Sequence, residues 1–364
     1  MVLLSTLVAV HSQRFIVPAS LLSASMVPYA SAAMVSGALS WVLPRRMWET
    51  LDNGLYRAYM RLCLFVFENI SGVDLVASGD LEALLSSSKE RALVISNHQS
   101  NADWAVIFML AARHSKMGAV ESLRFMIKHS IQYVPLFGWY IFQHGYIFIR
   151  RHSFDSAPVV RQLRWLDTLA DPYWLLIFPE GTRHAPASLA RSRAFREAKG
   201  LPPLERVLSP RSAGLRLSVD HLHSLEAVYD VTIAYSQTRS GSRPPGMFTF
   251  VCCPAGSSVH VHVRRFGRKE MDADTTGFLE ERFREKEVLL SQYASTGSLV
   301  PSSSPSFPPS VLPTIPLSET APSTAVFIAA LAAPLVSNVA REIFKLTVEA
   351  SPFLFLWLKV NKCV

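Results

Sequence analysis

Three short strings carry side chains able to do chemistry together. The first is NHQSNAD (97–103). His98 and Asp103 stand five apart, after an apolar run and before a helix-like stretch. Across a strand-to-helix turn, that spacing lets a carboxylate curl back onto one imidazole nitrogen. The carboxylate then fixes the tautomer, and the other nitrogen is left to take a proton from a hydroxyl. A blander reading fits the same string: Asp103 favours a helix N-terminus and His98 is a loop residue. The second string, GYIFIRR (145–151), sets Arg150 and Arg151 after a strand. Guanidinium groups there can hold a phosphate with two parallel hydrogen bonds; a solvated charge pair is the alternative. The third is FPEGTR (178–183). Pro179 and Gly181 make a sharp turn that presents Glu180, Thr182 and Arg183 at a strand end. Arg183 and Thr182 suit a phosphate, and Glu180 suits orienting an arginine or a hydroxyl. A plain structural turn competes with this.

The elements that must position these strings are legible as alternating strands and helices. ALVIS (92–96), GYIFI (145–149), YWLLIF (173–178) and YDVTIAY (229–235) read as strands. FTFV (248–251) and VHVHVRR (259–265) come next as strands, the latter with period-two alternation. Residues 102–114, 155–170 and 212–223 read as helices, and 275–293 as a charged helix on the outside. Strands separated by helices predict an α/β sheet with helices on its faces. All three polar strings then fall at the C-terminal ends of strands, where such folds place their sites. YDVTIAY is expected to line the site or the core, without doing chemistry.

Composition points to a membrane. Of 364 residues, 49% are hydrophobic and 18% charged, yet the formal net charge is +8. A basic surplus on a sparsely charged chain suits anionic headgroups or phosphate-bearing substrates. No basic run with interleaved aromatics appears, which argues against nucleic acid. The four cysteines, Cys63, Cys252, Cys253 and Cys363, form neither a zinc spacing nor a disulfide framework, so no metal is expected. Residues 15–44 carry no charge, between Arg14 and the pair Arg45, Arg46. The run exceeds the roughly 20 residues needed to span a bilayer, as one span or a re-entrant hairpin. Its basic C-terminal flank places that side in the cytoplasm. Residues 55–70 are amphipathic, fitted to the membrane interface or to packing on the main domain. Residues 295–324, rich in Ser and Pro, read as a disordered or extended linker. Two apolar stretches (325–340 and 351–358) then predict a membrane-associated C-terminus. The division is 1–50 membrane segment, 51–294 catalytic domain, 295–324 linker and 325–364 hydrophobic tail.

NHQSNAD, GYIFIRR and FPEGTR, in this order, resemble the blocks of the glycerolipid acyltransferase family. KHSIQYVPLFGW (128–139) is similar to the stretch between its first two blocks. GLPPLERVLSPRSAGL (200–215), followed by VYDVTIAY, resembles the branch of lysophosphatidic acid and lysocardiolipin acyltransferases. The resemblance covers roughly 55–235. It implies a mixed sheet flanked by helices, with membrane-associated helices at both ends. It also implies His98 as general base with Asp103 as its partner, Arg151 at the family's basic position, and Glu180, Gly181 and Arg183 in its substrate-binding block; Arg150 and Thr182, read from the residues themselves, complete the expected substrate-binding set. Acyl-CoA is the implied donor, with no cofactor, a lysophospholipid the acceptor, and the endoplasmic reticulum the implied membrane. Two departures stand out. Asn101 and Ala102 replace an acidic and a small residue, and His184, Ala185 and Arg191 stand where the branch usually has phenylalanine and lysine. A hydrolase using the same pair is disfavoured by the missing GxSxG elbow. A non-catalytic scaffold is disfavoured by the intact His98 and Asp103.

Overall fold

The computed structural model describes residues 16–86, 89–115, 118–150, 155–239, 241–252, 257–272, 274–300 and 309–361. Eight strands form one sheet in the order β4-β3-β5-β2-β6-β7-β1-β8. The strands are β1 (Asp74–Gly79), β2 (Ala92–Ser96), β3 (Leu123–Lys128), β4 (Ile147–Ile149), β5 (Trp174–Ile177), β6 (Ala227–Tyr235), β7 (Ser258–Gly267) and β8 (Ser310–Val311). The first five in sheet order run parallel. β7 runs antiparallel to β6, β1 parallel to β7, and β8 antiparallel to β1. The sheet is therefore mixed and helix-flanked, as the sequence predicted.

Every residue of β2, β5 and β6 is buried, which marks strands covered on both faces. Alternation divides them between two cores. Ala92, Val94, Trp174 and Leu176 join one cluster, and Leu93, Ile95, Leu175 and Ile177 the other. Each fully buried aliphatic side chain contributes about 1.5–3 kcal/mol. Helices α1 (Ile16–Leu39, with a turn at Ser25), α2 (Arg45–Leu64), α3 (Asp103–Ala111) and α4 (Phe137–Gln143) supply the first core. Helices α5 (Ser156–Asp167), α6 (Ala213–His221) and α7 (Thr275–Thr296) supply the second. Two helices close the chain: α8 (Leu317–Val336) against α2 and α9 (Asn338–Asn361) against α1. By length and composition, α1 and α8 are apolar enough to cross a membrane. Trp41, just beyond α1, and Leu335 and Val336 at the end of α8 are about as exposed as free side chains.

Three expectations need correction. FTFV is not a strand. Met247–Val251 is a helical turn, because the Met247 N–H is held by Asn101 Oδ1 at 2.8 Å and Phe250 packs edge-on against Phe67. Of the two readings of residues 55–70, packing on the main domain is the one observed. Tyr56, Leu62, Val66 and Phe67 are fully buried, and the segment continues α2 through a π-helical turn, Phe65–Ile70. The second half of the Ser/Pro stretch is folded: β8 pairs with β1, Leu312 and Ile315 are buried, and α8 begins at Leu317. Residues 301–308 lie outside the described part. Helix α7 is not merely external. Lys286 is fully buried, its Nζ 2.5 Å from Asp230 Oδ1 and donating to Val231 O at 2.6 Å.

Candidate active site

The register sets the site. Ile95 lies opposite Ile177 and Ser96 opposite Val231, so β2 and β5 end side by side against the middle of β6, which runs on past them to Tyr235. Asn97, fully buried, extends the β2–β6 pairing with its side chain: Nδ2 donates to Ile233 O at 3.0 Å and Oδ1 accepts the Ile233 N–H at 2.8 Å. His98 therefore leaves the sheet from a fixed point. Its ring stacks on Phe178 with centroids 4.2 Å apart. Its Nδ1 lies 2.8 Å from Asp103 Oδ2, and its side chain keeps 20% exposure against 0% for Asp103.

Asp103 is held on three sides. Oδ2 also accepts the Ser100 N–H at 2.9 Å, and Oδ1 accepts the Tyr235 hydroxyl at 2.5 Å. An acceptor-only carboxylate opposite Nδ1 makes that nitrogen the donor, so Nε2 carries the free lone pair in the neutral ring. Asp103 opens α3, and its carboxylate holds the turn that leads into the helix through the Ser100 N–H while it also meets His98.

Glu180 is buried. Its Oε1 accepts the His98 N–H at 2.8 Å and its Oε2 accepts the Leu208 N–H at 3.2 Å, so it braces the first block against the 200–211 segment. Burial pushes its carboxyl up to about 8; the two amides pull the other way, and the Asp103 charge adds to the rise. Gly181 has φ +67°, in the left-handed region that favours glycine, and its N–H closes the turn onto Phe178 O at 3.0 Å. Thr182 is half-buried and Arg183 exposed, and among the described residues Arg183 makes no ion pair. Arg150 is exposed at the end of β4, its Nη2 3.5 Å from His129 Nε2. Arg151 lies outside the described residues.

The structure adds residues that the spacing did not single out. Tyr235 ends YDVTIAY and reaches Asp103. Arg211, exposed, donates its N–H to Pro179 O at 2.9 Å and lays its side chain beside Gly181. Nothing local to either residue signals its place, because each depends on a partner distant in the chain. No group of three or more His, Cys, Asp or Glu suited to a metal occurs among the described residues.

The sequence is similar to those of known proteins. The acyltransferase family profile matches residues 76–236. The chain is similar to 1-acyl-sn-glycerol-3-phosphate acyltransferase epsilon of Mus musculus. That match is 35% identical over 305 residues and covers 80% of this chain and 81% of that protein. It is also similar to lysocardiolipin acyltransferase 1 of Danio rerio, 31% identical over 262 residues, 69% of this chain but only 63% of that protein. A crystal structure of the 1-acyl-sn-glycerophosphate acyltransferase PlsC from Thermotoga maritima aligns with a TM-score of 0.46 and 17% identity, over 78% of this chain and 96% of that one.

Proposed function

We infer the reaction from one premise: the chain belongs to the acyltransferase family, in the glycerolipid branch of lysophosphatidic acid and lysocardiolipin acyltransferases. We propose that it moves a fatty acyl group from acyl-CoA to the free sn-2 hydroxyl of lysophosphatidic acid, giving phosphatidic acid and CoA. The observation that carries this is His98 Nδ1 at 2.8 Å from a fully buried Asp103, beside Phe178 in the open end of the sheet.

In this reading His98 Nε2 takes the proton of the acceptor hydroxyl as its oxygen attacks the thioester carbonyl. Asp103 stabilises the imidazolium that forms. As the tetrahedral intermediate collapses, the C–S bond breaks and the imidazolium proton passes to the departing sulfur. The His98 and Ser100 amides are engaged by Glu180 and Asp103, so donors for the oxyanion come from elsewhere in the site. Arg183 and Thr182, with Arg150 and Arg151, are the groups assigned to the acceptor phosphate. Glu180 serves by holding the His98 backbone. The apolar surfaces of α1 and α8 support a membrane seat, and the endoplasmic reticulum with the catalytic domain toward the cytosol is the proposed location.

Similarity to a lysocardiolipin acyltransferase favours a second reading, in which the acceptor is lysocardiolipin or another lysophospholipid such as lysophosphatidylinositol. Purified protein given labelled acyl-CoA and a panel of lysophospholipids separates the two by the mass of the product. No acyl transfer to any member, or full activity in His98→Ala, rejects both.

A further inference from the structure

At the opposite end of the sheet from His98 lies a cavity of about 730 Å³. Gly145 precedes β4 and Trp165 ends α5 ahead of β5; both line the cavity, at the N-terminal ends of strands whose C-terminal ends carry the site. None of the site residues described above borders it. Its remaining walls come largely from the two ends of the chain, including Ala38 of α1, Trp41 just beyond it and Phe353 of α9. Trp41 and Phe353 are 83% and 71% exposed, so the cavity opens onto the apolar face that these helices present.

Three features of the cavity specify an occupant. Its size falls within the range of about 300–1,000 Å³ usual for small-ligand pockets, and four tryptophans line it, Trp41, Trp48, Trp139 and Trp165. Rings of that kind gather at the headgroup level of a bilayer. Gln143 is 92% buried, and its Nε2 donates to Asp52 Oδ1 at 2.9 Å. Its Oε1 is buried without a donor among the described residues, facing Gly37, where a Cβ would come within 2.9 Å of it. A buried acceptor of this kind asks for a hydroxyl. Arg161 lines the cavity, is exposed, and is in no ion pair among the described residues. One apolar chain, one hydroxyl donor and one anionic group are together the makeup of a single-chain lysophospholipid.

We propose that this cavity is a second, non-catalytic lysophospholipid site, with the acyl chain among the tryptophans between α1 and α9. The free hydroxyl lies on Gln143 Oε1 and the phosphate on Arg161. The class of lipid rests on the acceptor class proposed above; the site itself does not. The cavity thus stores a molecule of the acceptor class beside the membrane helices, apart from the site that consumes it.

Native mass spectrometry of the full chain in detergent, titrated with lysophosphatidic acid, tests this. The His98→Ala background prevents turnover. Ala38→Trp, at an exposed position in the wall, is expected to bind one lipid fewer than the parent. An unchanged count overturns the proposal. Arg161→Glu, a surface change that leaves the fold alone, is expected to weaken this second equivalent about tenfold. It should leave monoacylglycerol, which lacks the phosphate, unaffected; equal effects on both ligands, or none, overturn the proposal. Acyl transfer by Ala38→Trp in the His98 parent reports separately on the catalytic reading. Product formed without a lost binding equivalent sinks only the second site, and a lost equivalent without product formation by the parent sinks only the reaction.

Discussion

Two histidine–aspartate pairs of nearly equal geometry stand in this chain. His98 Nδ1 lies 2.8 Å from Asp103 Oδ2, and His144 Nδ1 lies 2.7 Å from Asp52 Oδ2. Their surroundings differ. The His98 side chain keeps 20% exposure, whereas His144 keeps 1%. Tyr56 stacks flat on the His144 ring with centroids 3.5 Å apart, and Gln143 Nε2 also donates to Asp52. Burial, helped by the nearby Arg124 guanidinium, pushes His144 down to about 4, against the pull of Asp52. Asp52 is held below its ordinary value despite burial, chiefly by His144. At neutral pH this second pair is thus a neutral imidazole donating to a carboxylate inside the core. It ties α2 to the end of α4. The pair by itself is therefore only an orienting device; in the proposed reaction it is the solvent-reached side of His98 that would let this pair act as a base.

Removing each histidine in turn separates the two roles. His98→Ala is expected to lower kcat by about 10²–10⁴-fold with little change in thermal midpoint. His144→Ala should do the reverse, costing about 3 kcal/mol of stability while the folded enzyme keeps its kcat. Steady-state kinetics and thermal unfolding of both variants decide, and a His144→Ala enzyme that is stable but inactive would reverse the roles. Asp103→Asn, which can turn a donor toward Nδ1 and so select the wrong tautomer, should cost about 10²-fold or more in kcat, with KM for acyl-CoA nearly unchanged. Tyr235→Phe probes the orienting carboxylate more finely. Losing one hydrogen bond to Asp103 should cost about tenfold in kcat, and a variant as active as the parent would show that the hydroxyl is mere packing.

The remaining effects are read against pH. The unfolded chain protonates His144 near 6.5 and the folded chain near 4. Stability from this group is full above the higher value and is lost as pH falls through that window. Glu180 works the other way. Its folded value of about 8 stands above the ordinary 4.5, so the folded state keeps a proton that the unfolded chain releases. Stability from it falls as pH rises between those values. Denaturant titrations in detergent should show Glu180→Gln flattening the decline between about pH 6.5 and 8, where His144 is silent. A His144→Gln variant should lose less stability than the parent as pH falls from about 6.5 to 4, with the profile above 6.5 unchanged in slope.

Much of the fold is legible along the chain. β2 and β5 are short, almost wholly apolar runs, β6 is rich in β-formers around Asp230 and Thr232, and β7 alternates, so composition and period announce them. β1 (DLVASG) and β3 (LRFMIK) escape such a reading because small or charged residues interrupt them. In β3, Arg124 is buried with its guanidinium donating to Glu121 O, Leu123 O and Asn53 Oδ1, at 2.7, 3.0 and 3.3 Å. FTFV misleads for the opposite reason. Its β-rich composition is a weak guide where tertiary context decides, and β6 already pairs with β7 along nine residues. In the site, the five-residue spacing of His98 and Asp103 is readable, since both ends of the turn are local. The string around Glu180 suggests a substrate contact, and nothing in it signals burial against two backbone amides.

The residue types, the order of the three polar blocks and the apolar ends are properties of the sequence alone, because each depends on neighbours within a few positions. Tertiary structure decided the rest. It set Tyr235 on Asp103 from 132 residues away, joined Asp230 to a lysine on α7, and chose which of two histidines meets solvent. Burial and long-range contact belong to no single segment, and only the packed chain assigns them.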